Sequence, residues 1–258
     1  MSNIFYDELG PKGRKRSFLF GLATAIGFRL YTQGQLEARL WSVLLDPDLV
    51  TLLLAGLWAT LKAAAAAMVF SILSGMLMAA GLMSRHVWLW VPLRVWMEVF
   101  RGLPLLLVIF FVYLGAPSLG FHISSFWSLV IGLTLYNSSV FAEIFRAGIS
   151  SLPKGQREAG LVIGLTEAST LRIILLPQAV TRMLPVLISQ AVILLKETSL
   201  GFIIGYTELL RQGRTAVEYL GGEYSIPVYT LLAVAYILIN LTLSWFATRL
   251  EKRQARSA

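Results

Sequence analysis

Cysteine is absent from the 258 residues, which excludes disulfides and any thiolate-ligated metal centre. Histidine is almost absent: His86 and His122 stand far apart, so no imidazole metal site is expected. Charge is scarce as well. Only 14% of the residues are Asp, Glu, Lys or Arg, against about 25% in an ordinary soluble domain. No Gly-x-x-x-x-Gly-Lys-Ser/Thr loop, His-Glu-x-x-His pair or Gly-x-Ser-x-Gly elbow occurs. The chain therefore lacks that phosphate cradle, the zinc-protease helix and the serine-hydrolase turn. Enzyme readings have no residues to carry them. No Ala-x-Ala type site follows the early apolar run, so a cleaved signal peptide is not expected.

What is present is hydrophobicity: 57% of the residues are apolar and the mean hydropathy is +0.71. The expected fold is an all-α polytopic transmembrane helical bundle. The formal net charge of +8 invites a nucleic-acid partner. However, the basic residues cluster at the ends of apolar runs, as the positive-inside rule produces, so membrane lipid is expected and nucleic acid is not.

Taken in order, residues 1–17 form a polar tail ending in Lys12, Arg14, Lys15 and Arg16 and expected to be cytoplasmic. Residues 18–49 supply an additional N-terminal span and an external loop. The apolar run from Phe18 to Tyr31 contains Arg29 and is shorter than the about 20 residues a crossing needs. It either spans with Arg29 snorkelling or lies at the interface. Core spans are expected from Val50 to Met83, Trp88 to Gly115, Ser124 to Arg146, Gln178 to Gly205 and Ile226 to Thr248, with residues 206–225 as a loop. Residues 251–258 close the chain as a basic tail. Six crossings place both basic ends inside, whereas five would leave the N-terminal cluster outside.

Between two of these spans, residues 150–177 are too polar to cross a membrane. Their local grammar predicts two short helices joined by a turn. Ser151 is placed to cap the first helix, with Pro153 just inside its start. Gly164 ends it in the left-handed conformation. Thr166 caps the second helix, Glu167 suits its positive end, and Pro177 is expected to stop it.

Glu158-Ala159-Gly160, Gly164 and Leu176-Pro177 resemble the EAA loop of ABC importer permease subunits, with Gly160 where the second Ala is usual. Gly in a helix interior costs about 1 kcal/mol relative to Ala, so the first helix is expected to be slightly loosened. Glu98-Val99-Phe100-Arg101-Gly102-Leu103-Pro104-Leu105 is similar to the Glu-x-x-Arg-Gly/Asn-x-Pro-Leu segment of permeases in polar amino acid importers. Tyr136-Asn137, the stretch from Ala142 to Gln156, Leu175 to Ala179, and Leu195 to Leu200 follow in the same order. The resemblance covers residues 50–250. Tyr6-Asp7, Gly10-Pro11 and Gln33-Gly34-Gln35-Leu36 look like one of the two permeases of the actinobacterial-type glutamate importer.

This resemblance implies a type I ABC importer fold with five core spans plus the additional N-terminal one, in a bacterial cell membrane. It implies a second permease subunit forming a heterodimer, cytoplasmic ATPase subunits, and an extracellular amino-acid-binding protein that delivers the substrate. No cofactor is expected in this chain; ATP and Mg belong to the ATPase. Glu158, Ala159, Gly160, Gly164 and Leu165 are the implied ATPase-coupling residues. Glutamate is the first substrate candidate, with glutamine or another polar amino acid as the alternative.

The candidate pathway residues are Arg101, Asn137, Lys196, Glu197, Thr198 and Ser199. Each has a plainer reading beside that role. Arg101 and Glu98 could simply pair with each other near a helix end, and Asn137 could be an interhelical hydrogen bond. Thr198 and Ser199 offer hydroxyls to a carboxylate or act as helix–helix contacts. Arg182, Lys196 and Glu197 lie inside an apolar stretch and call for a partner charge or a wetted cavity. Lys196 and Glu197 are adjacent, about 100° apart on a helix, and cannot face one spot. Two rival functions remain: a gradient-driven secondary amino acid transporter, which would show repeated halves with paired broken helices, and a sensing or structural membrane subunit. No convincing repeat is visible in the sequence.

Overall fold

The computed structural model describes residues 20–255 apart from 22, 23 and 26. The N-terminal basic cluster, Tyr6-Asp7, Gly10-Pro11, the first residues of the additional span, and residues 256–258 lie outside the described residues. The described positions between 20 and 32 are helical.

After a short helix α1 (Ala38–Ser42) and a 3-10 turn (Val43–Leu45), Asp46 caps the first long helix. Its carboxylate accepts from Asp48 N at 2.8 Å and Leu49 N at 3.3 Å, and Pro47 sits where no N–H partner is required. This helix, α2 (Pro47–Leu82), has 36 residues and is about 54 Å long at 1.5 Å per residue. Gly56, Thr60, Ala63, Ala67, Ser71 and Gly75 recur along it every three or four residues, and all are buried. Small residues at that spacing let helix backbones approach in a membrane. At Gly75 the approach to α5 is close: a Cβ there would stand 2.6 Å from Phe141 Cβ.

The crossing expected from Trp88 to Gly115 is not one rod. It is α3 (Val87–Gly102) and α4 (Leu105–Ser118), bent by 102°. Pro104 explains the break, because it pushes the residue before it out of the helical region; Leu103 is extended, with φ −87° and ψ 140°. Neither half reaches the about 20 residues that a crossing requires. α5 (Ser125–Ser150) then runs through the middle of the molecule, packed on α2, α3 and α4. The hairpin helices α6 (Lys154–Val162) and α7 (Glu167–Thr170) follow. A π turn (Leu171–Leu175) leads into α8 (Leu176–Glu197), which also packs on α5, and a 3-10 segment (Thr198–Ile204).

Pro177 therefore does not stop the second hairpin helix. The wider i→i+5 turn, closed by Leu176 N donating to Leu171 O, precedes the proline and places it in the first turn of α8, where no N–H donor is required. Residues 206–225, expected as a loop, are largely the helix α9 (Leu209–Leu220). Its buried Leu209, Gly213 and Ala216 fall on one helical face. The last helix, α10 (Ser225–Ala255), carries on through the start of the tail expected from residue 251.

Among the described residues there is no strand, and four helices are long and apolar enough to cross a membrane, or up to five crossings if α3 and α4 form one. The centre is filled by Ile109, Leu129, Leu133, Phe141 and Leu194. The outside is apolar too: Trp58, Leu77, Phe111 and Leu241 are each more than half exposed. An apolar perimeter around a small-residue interior suits a hydrocarbon solvent.

Candidate functional site

The hairpin is closed by backbone chemistry at one end and by side chains at the other. At the end of α6, Gly164 has φ +88°. Gly164 N donates to Leu161 O at 3.0 Å and Leu165 N to Gly160 O at 3.1 Å. This double closure is the Schellman arrangement, and its left-handed residue favours glycine. Thr166 Oγ1 accepts from Ser169 N at 3.2 Å, starting α7. The cap expected from Ser151 is not made. Pro153 stands at that end of α6 with no side-chain cap, and Ser151 Oγ instead donates to Gly148 O at 2.7 Å, finishing α5.

Arg157 on α6 locks the two hairpin helices together. Its Nε donates to Glu167 Oε2 at 2.9 Å, its Nη2 reaches Oε1, and Arg85 approaches the same carboxylate at 3.5 Å. The Arg157 hydrogen bond holds the Glu167 carboxyl below the usual carboxylate range, and raises the guanidinium in turn. Arg182, expected deep in the apolar stretch, lies on the surface at the hairpin end of α8, where Nη1 donates to Ser151 O at 3.0 Å.

Of the five implied coupling residues, Glu158, Ala159 and Gly164 are exposed, Leu165 is half-buried and Gly160 is buried. Whatever Gly160 costs in helix propensity, its missing side chain is needed for packing. A Cβ there would stand 2.6 Å from Thr170 Cγ2 and 3.1 Å from Ile174 Cδ1. Two residues that the motif does not single out share the exposed tip: Val162 at 86% and Ile163 at 73% exposure. Apolar side chains this exposed at the end of a rigid, polar hairpin mark a contact surface. The signal was legible as an apolar Leu161-Val162-Ile163 run directly before the terminating glycine.

A polar chain crosses the interior between α5 and α8. Gln190 Nε2 donates to Asn137 Oδ1 at 2.8 Å, and Asn137 Nδ2 donates to Glu197 Oε2 at 2.9 Å and to Leu133 O at 3.1 Å. Asn137 is fully buried and Glu197 half-buried. Its neighbour Lys196 is exposed, so the two point apart. Thr198 is buried, with its hydroxyl given to Leu195 O at 2.7 Å, and Ser199 gives its own to Lys196 O at 2.8 Å. Both hydroxyls serve the helix turn.

Arg101 stands elsewhere. It lines two neighbouring cavities, of about 670 and 500 Å³, whose walls include neither Asn137 nor Glu197. It does not pair with Glu98, which binds Arg94 at 3.2 Å; Glu143 is likewise taken by Arg146 at 2.5 Å. Among the described residues Arg101 forms no ion pair, so the cationic excess of these cavities rests on it and on Arg182.

The sequence reading missed Glu208 altogether. It is fully buried, yet satisfied: it accepts from Leu210 N at 2.9 Å, Arg211 N at 2.8 Å and the Tyr236 hydroxyl at 3.1 Å. Beside it, Leu209 N donates to Thr60 Oγ1 at 3.0 Å and the Tyr206 hydroxyl to Ala59 O at 2.8 Å. This cluster ties α2, α9 and α10 together. An acidic residue one position before a helical pattern is the cap signal that could have found it.

Known proteins share this arrangement. Residues 71–256 match the family model for the binding-protein-dependent transport system inner membrane component. The chain is 39% identical to the glutamate transport system permease protein GluD of Corynebacterium glutamicum, over 85% of this chain and 81% of that one. It is 36% identical to the glutamine transport system permease protein GlnP of Escherichia coli K12, over 76% of this chain and 88% of that one. A chain from the crystal structure of an amino acid ABC transporter with histidines superposes with a TM-score of 0.74 at 31% identity, covering 79% of this chain and 94% of that one. A chain of the MetNI methionine ABC transporter in inward facing conformations shares the fold, with a TM-score of 0.64 at 18% identity, over 80% of this chain and 99% of that one. With its small-residue spans, its broken α3–α4 pair and the capped hairpin between α5 and α8, the chain belongs to the family of inner membrane permease components of binding-protein-dependent transport systems.

Proposed function

We propose that this chain is the permease subunit of an ATP-driven importer for a polar amino acid, with glutamate as the substrate. The observation that carries the reading is the hairpin itself: a short, doubly capped and ion-paired element presenting Glu158, Ala159, Val162 and Ile163 outward between two spans. Such an element can receive a displacement and pass it on. Its occupant is an ABC ATPase subunit, which brings ATP and Mg; this chain needs no cofactor and performs no hydrolysis of its own. Gly164 and Leu165 set the direction in which the tip projects, and Gly160 holds α6 against α7.

The choice of glutamate rests on similarity to the permease that bears that name, and glutamine is the alternative on the same ground. Arg101, which has no ion-pair partner among the described residues and lines two cavities, suits a substrate carboxylate. Asn137 on α5 and Glu197 at the end of α8 form a second polar station, which Lys196, Thr198 and Ser199 adjoin in the chain. A second, different permease completes the pathway, and an extracellular binding protein delivers the amino acid. Both termini and the hairpin face the cytoplasm, with residues 18–32 making a sixth crossing.

Purification from the native membrane tests the proposal. An ATPase, a second permease and an amino-acid-binding protein should accompany the chain, and reconstituted uptake should require ATP. A chain that purifies alone and transports on an ion gradient overturns the reading.

A further inference from the structure

Beside α8, and lined by different residues of it from the cavities at Arg101, a groove of about 970 Å³ opens between the ends of α2 and α5, the hairpin and the first turns of α8. It uses none of the exposed tip residues and none of the Asn137 chain. Its wall is apolar, built by Ile72, Met76, Leu175, Leu176 and Val180. Its rim is basic: Arg85, Lys154, Arg157 and Arg172 surround a single acid, Glu167.

That acid is already engaged by Arg157 and Arg85. Lys154 and Arg172 are exposed and, among the described residues, have no ion-pair partner. The two chemistries are also layered. The apolar positions lie along α2 and the start of α8, and the cations stand beyond them, in the turn after α2, on α6 and in the first turn of the helical run from Leu171. A soluble peptide or metabolite has no use for hydrocarbon immediately below a cationic rim. An amphiphile with acyl chains and one negative headgroup matches both layers, since basic pockets between spans select anionic headgroups. A zwitterionic headgroup would bring its own cation against Lys154 and Arg172.

We propose that this groove binds one anionic phospholipid, its acyl chain along Ile72, Met76 and Val180 and its phosphate between Lys154 and Arg172. Lys154 opens α6 and Arg172 lies in the π turn, so one phosphate bridges both limbs of the hairpin from the membrane side. Anionic lipid would then set the height at which the hairpin is held.

Native mass spectrometry of the full-length chain, with phosphatidylglycerol or phosphatidylcholine added in turn, tests this. The parent protein should retain one phosphatidylglycerol in preference to phosphatidylcholine. Lys154→Gln combined with Arg172→Gln should weaken that retention on the order of 20-fold, at about fivefold per cation, and leave phosphatidylcholine unaffected. Ala80→Trp, which fills the groove without touching a charge, should abolish retention of both lipids. Equal retention of the two lipids by the parent, or undiminished phosphatidylglycerol in both variants, overturns the proposal. A photocrosslinker at Ala80 in native membranes gives a second readout: a phospholipid adduct supports the site, and an adduct with another permease or an ATPase subunit overturns it.

Discussion

Gly160 and Thr170 meet across the hairpin at a point where one partner must have no side chain: a Cβ on Gly160 would stand 2.6 Å from Thr170 Cγ2 and 2.8 Å from its Oγ1. The Thr170 hydroxyl is buried there without a hydrogen-bond partner among the described residues. Gly160→Ala is therefore expected to part α6 from α7, at about 1–3 kcal/mol for overpacking, outweighing the roughly 1 kcal/mol gained in helix propensity. Faster amide hydrogen exchange across residues 154–170 would report it. Adding Thr170→Ala removes both clashing atoms and should restore protection. A single variant as protected as the parent would show that this contact does not hold the hairpin.

Gly164 has a different constraint. Open space surrounds its Cβ position, but its φ of +88° costs a side-chain-bearing residue about 1–2 kcal/mol. Gly164→Leu should leave insertion and folding intact while lowering uptake relative to ATP hydrolysis. Comparing hydrolysis with uptake in proteoliposomes checks this. Full uptake by the variant would count against the hairpin as the coupling element.

Asn137→Leu should leave the Gln190 amide and the Glu197 carboxylate without their shared partner. An unmet buried group such as the Gln190 amide costs about 1–3 kcal/mol, so a clear fall in thermal midpoint in detergent is expected. Glu197→Gln keeps an oxygen for Asn137 Nδ2 and should hardly move that midpoint. Loss of uptake in this second variant at unchanged stability would place Glu197 in the pathway; normal uptake would leave it a purely structural partner of Asn137.

Acid should loosen the hairpin. The Arg157 hydrogen bond keeps the Glu167 carboxyl below its ordinary value in the folded chain. A group lowered in this way stabilises the fold above its unfolded value, near pH 4, and loses that contribution as pH falls through the lowered value. The protection factor of residues 154–170, hydrogen exchange corrected for its intrinsic pH dependence, should be flat near neutrality and fall on acidification. Arg157→Gln should flatten that acid-side fall. Equal acid sensitivity in the two proteins would remove Glu167 as its source.

Much of this was legible in the sequence, because the membrane reduces the options for apolar runs to helices. Gly164 and Thr166 announced their turn correctly, since a left-handed residue and a cap are decided within a few residues. The same local logic makes Pro177 a stop, whereas the π turn ahead of it sets the proline in the first turn of α8, where no N–H donor is required. The 102° break at Pro104 was visible only as Gly102 and Pro104 standing together; its angle depends on what α3 and α4 pack against. Gly160 could not be read locally at all, because its reason is Thr170 on another helix. Residues 206–225 looked like a loop by charge, yet their apolar positions and Glu208 fold back on Thr60 and Tyr236.

From Glu167 to Ile204 the backbone is helical without interruption, changing only in pitch from α to π to α to 3-10. Under the proposed coupling role this stretch would serve as a lever: with no break in the helical backbone between the hairpin and α8, a push on Val162 and Ile163 would enter through the Arg157–Glu167 pair and pass along it. The helical run ends at Gly205, with φ +77°. Were Gly205 its pivot, Glu197 would lie close to the pivot and far from the load, and a large stroke at the tip would reach the Asn137 hydrogen bond as a small, forceful displacement.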